Sequence, residues 1–166
     1  MKIEDDFLDQ EQFDTIIKRM EEYSFPWSYN DNIDNESDVD KFQFAHMFYL
    51  ENRPGSNAIQ IVSPILAILK PISILRIKAN LLTRTPNIIE NEFHVDMSVM
   101  TEEKQKQWTT SIFYVNTNNG YTKFEDGTKV ESVANRMITF PSNMKHTGTS
   151  CTDEKKRIVI NFNYYI

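Results

Sequence analysis

The sequence predicts a mainly β protein with flanking helices, built as a sandwich or barrel of short antiparallel strands. Strand-like runs recur along the chain, over 42–50, 72–82, 108–116, 136–140 and 157–162. Turn signals separate several of them: Arg53-Pro54-Gly55-Ser56, Asn118-Asn119-Gly120 and Asp126-Gly127. Helical periodicity, by contrast, is confined to two segments that precede residue 72.

The first element spans about Gln10–Tyr23, with Phe13, Ile16, Ile17 and Met20 at helical spacing. Asp9 suits the N-cap, and Glu11 and Asp14 suit the positive end of the helix. Ser24-Phe25-Pro26-Trp27 breaks it, and the acidic, Asn-rich stretch Asn30–Asp40 reads as an exposed loop. In the strand over 42–50, Phe42, Phe44, His46, Phe48 and Leu50 share a face, which makes His46 a hydrogen-bonded core histidine. Ser63-Pro64 fits the N-cap and first residue of a short helix that Pro71 ends.

The strand over 72–82 alternates Arg76, Lys78 and Asn80 with Leu75, Ile77, Ala79 and Leu81, so its polar face meets either solvent or a wet pocket. Thr83–Ile89 is polar and is expected either to cover a substrate as a mobile loop or simply to connect. Thr101–Gln107 reads as a charged, exposed connection. On the final strand Arg157, Val159, Asn161, Asn163 and Tyr165 share one face and Ile158, Ile160, Phe162 and Tyr164 the other. The second face is uniformly apolar and should pack on the helices.

Composition sets the bounds. The 166 residues suit a single domain, and 40% hydrophobic content excludes disorder throughout. The net charge of −6 divides unevenly: residues 1–40 carry 13 acidic and 3 basic side chains, residues 41–166 carry 11 and 15. The mildly basic remainder favours anionic ligands, or is a solvated face with scattered lysines. No basic stripe interleaved with aromatics appears, so nucleic acid is not the expected partner. Cys151 is the sole cysteine, which excludes an internal disulfide. No apolar run has membrane-spanning length and the acidic N-terminus is unlike a signal peptide. A cytoplasmic setting is expected, that of a phage-infected bacterium included, with no membrane partner.

The chemistry gathers around Glu92-Phe93-His94-Val95-Asp96. On an extended backbone His94 and Asp96 leave the same face and can take adjacent positions around a metal. Fifty residues further comes His146, one of only three histidines, after the strand over 136–140. Two histidines and a carboxylate form the ligand set of a non-haem Fe(II) site with open positions. Eleven residues beyond, Arg157 opens the last strand, where its guanidinium can face inward and grip a carboxylate with both arms. Without such a partner a buried guanidinium is expensive. The plainer alternative is that His94 and Asp96 merely hydrogen-bond each other at a strand end.

From about Ile72 onward the chain resembles the 2-oxoglutarate/Fe(II)-dependent oxygenases, in particular small prolyl-4-hydroxylase-like members from bacteriophages and bacteria. The matching residues are Phe93-His94-Val95-Asp96, Tyr114-Val115-Asn116, Gly120-Tyr121-Thr122-Lys123-Phe124, Phe140-Pro141-Ser142-Asn143-Met144-Lys145-His146 and Arg157-Ile158-Val159-Ile160-Asn161-Phe162. The resemblance implies a double-stranded β-helix (a jelly roll, or cupin-like barrel) over 72–166, with 1–71 as a supporting region. It implies Fe(II) on His94, Asp96 and His146, and 2-oxoglutarate as co-substrate with its distal carboxylate on Arg157. Relatives often use the strand bearing Arg76 and Asn80 for co-substrate or substrate contacts, so Asn80 or Arg76 is a candidate, with a solvated face as the alternative. Tyr114 is another, with core packing as its alternative. The implied reaction consumes O2 and 2-oxoglutarate, yields succinate and CO2, and hydroxylates a substrate, a small molecule or a prolyl or other peptide residue. The intact Asp96 favours hydroxylation over halogenation. Departures are Gly120-Tyr121, where many relatives have Gly-Gly, and Val159, where many have Ser. The rival readings are a cupin-like metal protein without 2-oxoglutarate, and a jelly-roll binding or structural module with no enzymatic role. The sequence leaves the oligomeric state open.

Overall fold

The computed structural model describes residues 1–33, 41–98 and 100–166. Residues 34–40 of the acidic loop therefore lie outside the described residues. In chain order the elements are β1 (Lys2–Glu4), α1 (Gln10–Glu21), β2 (Ser28–Asn30), β3 (Gln43–Leu50), β4 (Arg53–Pro54), a 3-10 helix (Asn57–Val62), α2 (Ser63–Leu69), β5 (Ser73–Thr83), α3 (Glu102–Gln105), β6 (Thr109–Tyr114), β7 (Tyr121–Phe124), β8 (Lys129–Glu131), β9 (Arg136–Pro141), β10 (His146–Gly148) and β11 (Lys156–Tyr165).

The strands form two antiparallel sheets. The larger runs β1-β9-β6-β11-β5-β3-β2, with β4 paired to β3, and the smaller runs β10-β7-β8. This is the mainly β, jelly-roll arrangement that the sequence predicts. The apolar face of β11 does pack on the helices: Ile158, Ile160, Phe162 and Tyr164 join Phe13, Ile16 and Met20 of α1 and Ile65 of α2 in the main core. A second, smaller core lies between the sheets, where Ile112, Tyr114, Ile138, Phe140 and Val159 meet Phe124 and Val130. The polar residues of β5 and β11 face that same inter-sheet space, and alternation thus divides each strand between packing and chemistry.

Local signals hold at several points. Asp9 caps α1 by accepting from the Gln12 amide at 2.9 Å. His46 is buried, with Nδ1 at 3.0 Å from the Pro26 carbonyl and Nε2 at 2.8 Å from Ser56 Oγ. Gly127 takes the positive φ its turn requires, +90°.

Other expectations are corrected. The turn after β3 lies at Glu51-Asn52, both with positive φ, and Arg53-Pro54 pairs back onto β3. Phe42 and Leu50, at the ends of the β3 face, are exposed. Ser63 is the first residue of α2 and not its cap, because the 3-10 helix runs directly into it through Val62. Thr101–Gln107 contains α3, held because the buried Gln105 amide donates to the carbonyls of Met97 at 2.9 Å and Met100 at 3.0 Å. Gly120 does not adopt positive φ; its lack of a side chain serves close approach instead. Among the described residues no helix is long and apolar enough to cross a membrane.

Candidate metal centre and anion pocket

His94 and His146 face each other as an isolated antiparallel bridge, each amide donating to the other's carbonyl at 3.0 Å. Their rings stand 5.0 Å apart, and His146 is wedged edge-on against Phe140. The segment bearing His94 is otherwise irregular, and Asp96 opens a turn, where the sequence suggests a continuous strand. The side chains nonetheless converge: His94 Nε2 lies 3.8 Å from Asp96 Oδ1, and one donor atom from each of His94, Asp96 and His146 lies within 4.8 Å of the others.

The state of each donor follows from its neighbours. His94 Nδ1 lies 3.2 Å from the Glu92 carbonyl and His146 Nδ1 3.1 Å from the Met144 carbonyl. A carbonyl oxygen can only accept, so Nδ1 carries a proton and Nε2 is the nitrogen left to ligate, the usual outer-shell arrangement of a metal-binding histidine. Burial pushes the Asp96 carboxyl up, but Arg76, His146, the Asn163 hydrogen bond and His94 outweigh it and hold it at about 2. Two imidazole nitrogens and one ionised carboxylate on one side of a space fit a divalent transition metal.

A cavity of about 570 Å³ extends from this triad to Arg157. Arg157 is 3% exposed; its Nε donates to Ser132 Oγ at 2.8 Å and its Nη2 to Thr122 Oγ1 at 3.4 Å. No carboxylate pairs with it among the described residues, and burial lowers its pKa. A desolvated cation hydrogen-bonded to hydroxyls, with open space before it, suits an anionic ligand.

The remaining sequence candidates fall in two places. Asn80 lines the cavity, and its Oδ1 is buried with no hydrogen-bond partner among the described residues, as is Oδ1 of Asn161 on the neighbouring β11. Tyr114 is fully buried behind the cavity, donating to Thr122 Oγ1 at 2.8 Å, with its ring centre 5.8 Å from the Arg157 guanidinium. It touches the anion pocket through Thr122.

Sequence reasoning missed Asn163, and it offered Arg76 as a co-substrate or substrate contact without its link to Asp96. Both reach Asp96: Arg76 Nη2 donates to Oδ1 at 2.9 Å and Asn163 Nδ2 to Oδ2 at 2.9 Å. The available signal was alternation, which puts Asn163 on the Arg157 face of the last strand and Arg76 on the polar face of β5. The expected covering loop, Thr83–Ile89, is stitched down: the amides of Arg84 and Thr85 donate to the carbonyls of Lys155 and Cys151, each at 3.0 Å, and Ile89 to Ser150 Oγ at 2.9 Å.

No family model and no curated protein matches the sequence. Solved structures match the fold. A prolyl hydroxylase from Trichoplax adhaerens, in complex with a hypoxia inducible factor oxygen degradation domain peptide fragment, aligns at TM-score 0.70 and 14% identity, over 99% of this chain and 82% of that one. A Pseudomonas putida prolyl-4-hydroxylase aligns at 0.58 and 11%, over 99% and 92%. The non-haem alpha ketoglutarate dependent epimerase SnoN from nogalamycin biosynthesis aligns at 0.68 and 10%, over 98% and 75%. At such identities the likeness is one of fold. The chain has the double-stranded β-helix of these oxygenases and carries a His-x-Asp…His triad within it.

Proposed function

We propose that the protein is an Fe(II)- and 2-oxoglutarate-dependent dioxygenase that hydroxylates a small molecule or a peptide residue. The observation that carries this reading is Arg157, a buried guanidinium without a carboxylate partner among the described residues, in the same cavity as the triad. A cupin-like metal protein has no use for that cation, and a purely structural jelly roll has no use for either group.

His94, Asp96 and His146 would hold the iron. Bound there, Fe(II) supplies the centre at which 2-oxoglutarate and O2 react to give succinate, CO2 and a hydroxylated product. The chain's own part is binding and orientation. Arg157 pairs with the distal carboxylate of 2-oxoglutarate, and Ser132 and Thr122 fix the guanidinium plane that receives it. Asn80 and Asn161 line the same cavity as the triad and Arg157. The ring of His146 is held by Phe140 and its own Nδ1 bond, so Nε2 points one way.

Fold neighbours include both hydroxylases and an epimerase, and the outcome depends on what enters the cavity. The intact Asp96 carboxylate, which halogenating members of the resembled family lack, favours hydroxylation over halogenation; a product analysis with the true substrate separates hydroxylation from epimerisation. Addition of Fe(II) and 2-oxoglutarate to the protein without air should give a weak visible charge-transfer band, and air should then release succinate. Iron binding with neither band nor succinate would return the assignment to the cupin-like reading.

A further inference from the structure

Asp96 enters the site on a turn, so no ladder of backbone hydrogen bonds sets where its carboxylate points. A row of side chains on the sheet does. Arg76, Asn163 and Thr110 stand directly across from one another on β5, β11 and β6. Arg76 Nη2 donates to Asp96 Oδ1, Asn163 Nδ2 donates to Asp96 Oδ2, and Arg76 Nε donates to Asn163 Oδ1 at 3.0 Å, which closes a ring of three residues. Asn163 Nδ2 also reaches Thr110 Oγ1 at 3.1 Å, and Thr110 Oγ1 pairs with Ser142 Oγ at 2.8 Å. Sheet register thus fixes the donors, and the donors fix a carboxylate whose side chain is 3% exposed.

We propose that Arg76 and Asn163 are positioning residues of the metal centre, holding the Asp96 carboxylate in one plane and so setting metal affinity and coordination geometry. The inference rests on the reading of His94, Asp96 and His146 as metal ligands. An ionised carboxylate offers about four lone-pair sites. One on each oxygen is taken, by Arg76 and by Asn163, and Oδ1 still has a pair for a metal beside His94 Nε2. The role needs the planar fork of arginine, which spans two acceptors at once, and not merely its charge. A guanidinium that only stood in for the metal would act in the opposite sense: its removal would strengthen metal binding.

That opposition makes the test. Co(II) alone is titrated into the metal-free wild type and the variants Arg76→Gln, Arg76→Lys, Asn163→Ala and His146→Ala, with affinity by calorimetry and coordination by the Co(II) absorption spectrum. Arg76→Gln and Asn163→Ala should each weaken binding roughly 10–100-fold and change the spectrum, at near-wild-type circular dichroism. Arg76→Lys should rescue little of this. If Arg76→Gln fails to fold, Asn163→Ala carries the same comparison. Wild-type affinity and spectrum in Asn163→Ala, or tighter binding in Arg76→Gln, overturns the positioning role while leaving the triad intact. Equal Co(II) binding by wild type and His146→Ala instead overturns the metal reading itself.

Discussion

Gly120 lies against the shaft of Arg157, so close that a Cβ at this glycine would stand 2.7 Å from Arg157 Cδ and 2.7 Å from the Ser150 carbonyl oxygen. One of those neighbours is backbone and cannot yield cheaply. Gly120→Ala is therefore expected to destabilise by about 1–3 kcal/mol, as overpacking does, and to displace the guanidinium. Denaturant titration measures the first effect and the concentration of 2-oxoglutarate needed for half-maximal succinate release the second. A variant with both unchanged would show that the contact relaxes without consequence.

Arg157 itself should trade stability for binding. Replacing a buried, uncompensated charge by an apolar side chain of similar length is often neutral or stabilising. Arg157→Met is thus expected to unfold at or above the wild-type temperature without ligand. Its thermal upshift on adding 2-oxoglutarate should vanish, with a loss of about 2–5 kcal/mol in binding. Co(II) affinity should be unaffected. A melting temperature well below wild type would mean that the Ser132 and Thr122 bonds matter more than the missing counter-charge.

Asp96 gives the metal-free protein a pH signature. Its carboxyl is held at about 2, below the ordinary 3.8, so the folded state binds the proton less readily than the unfolded chain. The stabilisation is complete above the unfolded value and is lost as pH falls from there through the folded value, roughly 2 kcal/mol in all. Urea midpoints measured across that window should fall less steeply in Asp96→Asn than in wild type. Parallel curves would place the acid sensitivity elsewhere.

Ser150 is the stitch that holds the Thr83–Ile89 segment. Its hydroxyl accepts from the Ile89 amide at 2.9 Å and lies 2.6 Å from Thr85 Oγ1, and its own amide donates to the Ile89 carbonyl at 3.0 Å. Ser150→Ala should cost about 1–3 kcal/mol and speed hydrogen exchange at Ile89. In the wild type that amide should be protected whether or not substrate is present. Substrate-dependent protection would restore the segment as a moving cover.

What could be read in advance was whatever a short stretch of chain decides for itself. Asp9 caps its own helix, His46 falls on an apolar face, and alternation sorts Arg157 from Ile158 without reference to the rest of the molecule. The His-x-Asp, the distal histidine and the arginine were legible as a pattern of spacings. The Asp96 support was not, because Asn163 is 67 residues away and meets it only through strand register. The turn at Glu51-Asn52 was missed for another reason: Glu51 is a poor residue for positive φ, and the pairing of β3 with β4 imposes it. In α3 a tertiary contact overrides a charged, loop-like composition, since the buried Gln105 amide pins the short helix to carbonyls outside it.

The β5–β11 ladder runs unbroken from Lys156 opposite Thr83 to Asn163 opposite Arg76, and its only irregularity comes immediately afterwards, between Asn163 and Tyr164. The two strands are therefore written in two independent hands. Within that unbroken run, odd-numbered positions of β11 and even-numbered positions of β5 face the inter-sheet space; the intervening ones face the core. Substitutions at Lys78, Asn80 or Asn161 alter the cavity wall and leave the hydrophobic half of both strands untouched. A single inserted residue in either strand is a different kind of event. It would turn Ile77 and Ile160 toward the cavity and the polar set toward the helices, disrupting both faces together.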